Sequence, residues 1–365
     1  MTIYTTPLQF GYFFGLLFAV LLFVRAKKNE RYSDLLLGIV LFLLSMQLQD
    51  YTFGFAGINI LWEKYNGFPR HFSLAFAPTI YLYFKSQTTQ NFELKKGDLK
   101  YFVIYFVYFF ANLAIFMQGE KFVKAYQISQ VGYWVQGTEN TLVFFSYLYF
   151  TYKTLELFKK YRHWVEHQFS NTEAITFNWL RNFLYLILIE ETLKFSWFFA
   201  DAYLNLPYEK DFWWQLFTVG SVVYIGINGY MQTPPKLTNL FDATPENKPI
   251  VPDKDLFAWK TTLETCMATQ MPYLNPELTL SDLAKQLKTN TSIVSAVINH
   301  VFDKNFNDFV NEYRINEFKN QVNNPKNKHL SLLGVALDCG FNSKSTFNRA
   351  CKKLTGKLPS QWQSQ

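Results

Sequence analysis

Long apolar runs fill the first 232 residues of this 365-residue chain and constrain its fold more than any other feature. A helix rises 1.5 Å per residue, so roughly 20 apolar residues cross the hydrocarbon core of a bilayer. Leu8 to Val24, about 17 residues, lies at the short limit. Six further runs follow: Leu35 to Phe53, Phe68 to Phe84, Leu99 to Met117, Ile128 to Tyr152, Trp179 to Ala200 and Phe212 to Met231. Together they predict a transmembrane bundle of about seven spans over residues 1–232. The third run carries Pro78 and the sixth carries Glu190, Glu191 and Lys194, which weakens both.

The basic residues orient such a bundle. None precedes the first run, and Arg25 follows it, the reverse of a signal peptide, so the first span is expected to be uncleaved with its N-terminus outside. Loops on the inner side then hold Arg25, Lys27, Lys28 and Arg31, then Lys85, Lys95, Lys96 and Lys100, then Lys153, Lys159, Lys160, Arg162 and Arg181. Outer loops hold Lys64, Arg70, Lys121, Lys124 and Lys210. Cytoplasmic loops collect Lys and Arg, so this bias of 13 to 5 predicts a multi-pass protein of the inner (cytoplasmic) membrane with its C-terminal region in the cytoplasm. The mean hydropathy of −0.04 hides the pattern, because it averages an apolar two-thirds with a polar last third.

After Met231 the composition changes. Pro234, Pro235, Pro245, Pro249 and Pro252 stand among Asn, Asp and Thr, the mark of a stiffened linker over 233–254. Leu256, Trp259, Leu263 and Met267 then repeat at helical spacing within 255–272. That helix suits either a coupling or dimer role, or simple packing on the domain behind it. The three cysteines, Cys266, Cys339 and Cys351, are odd in number and lack metal-ligand spacing, so they read as reduced thiols.

Two helix-turn-helix patterns follow. In the first, Thr279 can cap a helix with Leu280, Leu283, Ala284 and Leu287 as its core face, and Asn290 or Thr291 can cap a second helix presenting Ser292, Ser295 and Asn299. In the other, Leu332, Leu333, Val335 and Ala336 give a short helix its apolar face, and Gly340 supplies a turn. Ser343 then opens a helix buried through Phe347, Cys351 and Leu354, with Lys344, Ser345, Asn348, Arg349 and Lys352 facing out. Phe306 to Val322, between the two patterns, predicts a connecting helix of about 25 Å, which would set two recognition helices in successive major grooves about 34 Å apart. From Lys236 onward there are 16 Lys and Arg against 12 Asp and Glu. The excess lies in the last motif, around Lys344, Arg349, Lys352, Lys353 and Lys357, where phosphates would sit.

Residues Tyr273 to Trp362 resemble the DNA-binding domain of AraC-type transcription regulators. The hallmarks are Ala336, Gly340-Phe341, Phe347, Lys352-Lys353, Thr355-Gly356 and Pro359, with Cys351 standing where the family usually has Phe. PYLNPELTL, VINHVF, YRINEF and CGFNSKSTFNR are similar to members anchored by several N-terminal spans. The resemblance implies an all-α protein: a polytopic bundle plus a cytoplasmic domain of two helix-turn-helix motifs joined by a long helix, at 273–365. Its implied role is a membrane-bound, sequence-specific regulator with no enzymatic activity and no cofactor. Expected partners are double-stranded DNA, the lipid bilayer, an unidentified signal ligand and a second copy of the chain. The DNA-binding residues expected are Ser292, Ser295, Asn299, Ser343, Lys344, Ser345, Asn348, Arg349, Lys352 and Lys353.

Two further patterns bear on function. Three charges in the sixth run cost about 8 to 10 kcal/mol on insertion scales, against roughly 3 to 6 returned by its apolar residues. Glu190, Glu191 and Lys194, with Glu139 and Asn140 of the fifth run and Gln47 and Asp50 of the second, are therefore candidates either for a ligand-sensing pocket or for a buried network that only fixes helix packing. His163, Glu166 and His167 fit H-x-x-E-H, a zinc-peptidase spacing. They lie in a Lys-rich segment with no evident third ligand, so an amphipathic helix is the simpler reading. A juxtamembrane metallopeptidase, or a membrane scaffold with a degenerate DNA-binding fold, are the alternatives to a regulator.

Overall fold

The computed structural model describes residues 5–89, 92–171, 177–232, 253–327 and 329–362. Among them the secondary structure is helical apart from one isolated antiparallel bridge, Phe169 with Thr279. Most of the expected linker, residues 233–252, lies outside the described residues. The chain divides into two compact units, 1–158 with 179–238, and 159–178 with 239–365.

The first unit is a bundle. Its helices are α1 (Thr5–Asn29), α2 (Tyr32–Phe55), α3 (Ile60–Glu63), α4 (Ser73–Thr88), α5 (Val103–Met117), α6 (Glu120–Gln127), the part of α7 (Gln130–Gln168) up to residue 158, α8 (Phe177–Leu204) from residue 179, and α9 (Asp211–Met231). Helices α1, α2 and α9 form its centre, with Leu8, Leu22, Leu37, Leu41, Leu48, Val222 and Ile225 buried. Small residues let these helices cross closely: a Cβ on Gly15 would come within 2.1 Å of Ser45 Oγ and 2.8 Å of Val222. Arg25 closes one end, paired with buried Asp34 at 2.6 Å and donating to the carbonyls of Gly229 and Tyr230.

The expectation of seven spans is not met. Among the described residues three segments combine the length and hydropathy of a crossing helix: Thr5–Asn29, Tyr32–Phe55 and Lys96–Met117. Helix α4 has only 16 residues. In α8 the charges at Glu190, Glu191 and Lys194 offset the apolar residues, and in α9 Trp, Tyr, Gln, Asn and Gly residues dilute them. The fifth run became the first half of a 39-residue helix that continues into polar sequence.

The second unit comprises 159–178, including the end of α7, with α10 (Asp253–Thr269), α11 (Leu280–Gln286), α12 (Thr291–His300), α13 (Phe306–Val322), α14 (Leu332–Asp338) and α15 (Lys344–Thr355). One core lies under the first helix pair: Leu280, Leu283, Val294, Val297, Phe306 and Phe309. Helix α10 lays Leu256, Leu263 and Met267 on that core, so its apolar stripe is used in packing on the domain. A second core holds Ile315, Phe318, Ala336, Phe341, Phe347 and Cys351. The 17-residue α13 supplies Phe309 to one core and Phe318 to the other, which makes the two helix pairs one rigid body. All three cysteines are buried thiols, and burial pushes Cys339 up to about 12.

Gly340 marks the tightest point. Its φ is +92°, and a Cβ there would lie 2.3 Å from the Tyr273 carbonyl oxygen. Gly340→Ala should therefore destabilise the second unit by about 2 to 4 kcal/mol, through left-handed strain added to a backbone clash. Faster amide hydrogen exchange over residues 273–341, with exchange in α1 and α2 unchanged, is the expected measurement.

Candidate nucleic-acid interface

Each motif positions its outward helix by a capped start. Thr279 and Asp282 form a reciprocal capping box on α11, with Asp282 N–H donating to Thr279 Oγ1 at 3.1 Å. Asn290 caps α12, accepting from Ile293 N–H at 2.9 Å. In the second motif Ser331 caps α14 and Ser343 caps α15, the latter accepting from Thr346 N–H at 3.1 Å. Gly356, at φ +72°, ends α15 in the left-handed conformation.

Capping separates the expected DNA-facing residues into groups. Ser292 is exposed, whereas Ser295 and Asn299 are half-buried and bonded to each other at 3.2 Å. On α15, Lys344, Ser345, Arg349, Lys352 and Lys353 are exposed and Asn348 is half-buried. Ser343 is occupied as the cap, so its role is to start the helix. Lys353 is held by Asp308 of α13 at 2.6 Å. The buried side of α15 consists of Thr346, Phe347, Ala350 and Cys351, with Leu354 half-buried, which adds Thr346 and Ala350 to the residues the apolar spacing marked.

A buried hub that the sequence did not reveal ties the unit together. Arg314 of α13 is 1% exposed and donates to the carbonyls of Tyr273 at 2.7 Å and Asn275 at 2.8 Å, and to Ser170 Oγ at 3.1 Å. Burial lowers its pKa to about 10, and Glu277 opposes that shift. Ser170 is itself fully buried: its N–H and hydroxyl donate to the Leu278 carbonyl at 3.1 and 2.7 Å, and its carbonyl accepts from Asn307 at 2.6 Å. The segment after α7 is thus part of the second unit. A polar cavity of about 290 Å³ beside it is lined by Arg162 and Glu166 together with Asp308, Arg349 and Lys353.

The H-x-x-E-H residues sit at the end of α7 without metal-site geometry. Glu166 is paired with Arg162 at 3.0 Å, and His167 Nδ1 lies 2.7 Å from the His163 carbonyl. Among the described residues no group of three or more His, Cys, Asp or Glu is placed to hold a metal ion. Desolvation, with the neighbouring His167, lowers the pKa of His163, while Glu166 opposes the shift.

The expected sensing residues separate into two places. Glu190 and Glu191 of α8 are buried, close to Lys194, Tyr147 of α7, and Thr218 and Ser221 of α9. Glu139 lies elsewhere, in a cleft with Asp50 and Arg70, while Asn140 is exposed and accepts from Gln136 at 3.3 Å. Among the described residues, Glu139 lines a cleft that Glu190, Glu191 and Lys194 do not line.

Comparison with known proteins bears on the second unit. No curated protein and no solved structure matches the chain. Residues 283–365 match a family described as a helix-turn-helix domain, of the AraC type, and this supports a DNA-binding transcription regulator.

Proposed function

We propose that the chain is a membrane-bound, sequence-specific transcription regulator whose helical bundle receives a signal. The observation that carries the membrane part is α5. None of its residues is buried, although Phe106, Val107 and Phe110 are typical of its sequence, and the surrounding segment Lys96–Met117 is long and apolar enough to cross a bilayer. An apolar helix that turns one half-buried face, Tyr105, Tyr108, Phe109 and Asn112, to the bundle and leaves Phe106, Val107 and Phe110 exposed needs lipid or a partner helix on its outer side. The two other apolar segments and the C-terminal helix-turn-helix domain fit a membrane-anchored protein with its DNA reader in the cytoplasm. Lipid, a signal ligand and a second copy of the chain remain its proposed partners beside DNA. Helices α4, α8 and α9 complete the bundle beside the apolar ones. The buried Glu190, Glu191 and Lys194 serve this reading as a network that fixes helix packing.

On the DNA side, Arg349 is the candidate base reader and Lys352 the candidate phosphate contact, both exposed on α15. The first helix pair contributes Ser292 near the capped start of α12, where backbone N–H groups favour a phosphate.

Two measurements test the reading. Reporter domains fused after Gln168 and after Pro245 should be active in the cytoplasm, and one fused after Gly119 outside it; a Pro245 fusion reporting from outside removes the regulator. Arg349→Ala should cost about 1 to 3 kcal/mol and relax sequence preference, whereas Lys352→Ala should weaken binding to all DNA about equally and flatten its salt dependence. Equal, sequence-independent losses from both substitutions would overturn this division of roles.

A further inference from the structure

A cleft of about 300 Å³ opens in the first unit. It is bounded by the C-terminal half of α2, the segment from Trp62 to His71, helix α5 and the first turns of α7. Its volume is at the lower end of the range that holds small molecules. Three side chains with fixed charge line it: Asp50, Arg70 and Glu139.

Two of these charges cancel. Arg70 grips Asp50 with Nε at 2.9 Å and a second nitrogen at 3.5 Å, and its side chain is only 10% exposed. The neutral polar groups are also largely satisfied. Asn66 and Gln127 exchange amide bonds at 3.3 and 3.1 Å, and Asn112 donates to the Tyr108 carbonyl at 3.0 Å. Glu139 is the exception. It is half-buried, and among the described residues its carboxylate has neither a hydrogen bond nor an ion pair. Burial lowers the pKa of His71 and favours its neutral form, and the lining then carries a net charge of one negative, located at Glu139.

The walls around that charge are aromatic: Trp62, Phe68, Tyr105, Tyr108 and Phe109. Ring faces attract cations, and a partly desolvated carboxylate gains more from a cationic partner than one in open water. An anionic ligand would meet the unpaired carboxylate, and a purely apolar one would leave it desolvated without compensation. From this combination we infer that the cleft binds a small organic cation bearing one ammonium group, which pairs with Glu139 and packs on the surrounding rings. The inference rests on the sensor reading only for its biological meaning. The site itself is argued from the cleft.

The test uses the full chain in detergent micelles, without DNA. Choline and n-butylammonium are titrated calorimetrically beside their uncharged counterparts, 3,3-dimethylbutan-1-ol and 1-pentanol, at constant ionic strength. At least one cation should bind with a Kd below about 1 mM and at least about tenfold more tightly than its counterpart. Glu139→Gln should abolish that preference. Glu120→Gln, which removes a fully exposed carboxylate paired with Lys124 outside the cleft, should leave it unchanged. Absence of binding by both cations, equal binding of cation and counterpart, or a preference that survives Glu139→Gln would each overturn the site. A target-promoter reporter indifferent to a saturating cation would instead remove the sensor reading and leave the site standing.

Discussion

The DNA-reading unit depends on a single buried guanidinium. A desolvated Arg is costly unless its N–H groups find acceptors, and Arg314 finds two carbonyls and a hydroxyl, with Phe341 beneath it at 5.9 Å. Those acceptors belong to the turn before α11 and to the segment after α7, while Phe341 belongs to the turn of the second motif. One side chain therefore sets the spacing between parts that are far apart in sequence. The same Tyr273 carbonyl that accepts from Arg314 lies against Gly340, so the close approach at that glycine and the buried charge are aspects of a single packing arrangement. A lysine could not replace it, since a point charge cannot reach acceptors in fork geometry.

The bundle is held differently. Its central helices meet through small residues and aliphatic contacts, with Arg25 and Asp34 closing one end. Two further sets of charged groups differ in access: Glu190 and Glu191 deep between α8 and α9, and Asp50 and Arg70 near the cleft. The former is enclosed and the latter opens to the surface, and this difference in access decides which can exchange a ligand. In low dielectric an enclosed set of charges mainly determines which helix faces meet.

Much of the C-terminal unit was legible because its signals are local. The spacing of Leu280, Leu283, Ala284 and of Phe347, Cys351, Leu354 marks buried faces, Thr279 and Asn290 mark helix starts, and α13 falls on Phe306–Val322 as its pattern implied. Roles that depend on distant partners were not legible. Arg314 reads as an ordinary solvated residue until Ser170, Tyr273 and Asn275 converge on it. Lys353 reads as a phosphate ligand until Asp308 is found beside it. In the bundle, apolar runs gave the approximate positions of helices but not which of them cross, because α4, α8 and α9 gain their stability from neighbours rather than from hydropathy. Glu139 and Glu190 look equivalent by sequence and differ only in what surrounds them.

Helix α7 belongs to the bundle up to Phe158 and to the DNA-reading unit from Lys159. Its 39 residues amount to roughly 58 Å of hydrogen-bonded rod. The DNA reader is thus assembled from two stretches of chain, one emerging midway through synthesis and one at its end. A fragment beginning at Asp253 would lack Ser170, and the Arg314 nitrogen that donates to it would keep only the Asn275 carbonyl. Cutting the chain between the two stretches would then yield a different folded object from the intact one, with a hydrated notch where Ser170 had been. The segment after α7 is therefore a structural component of the second unit as well as a connection.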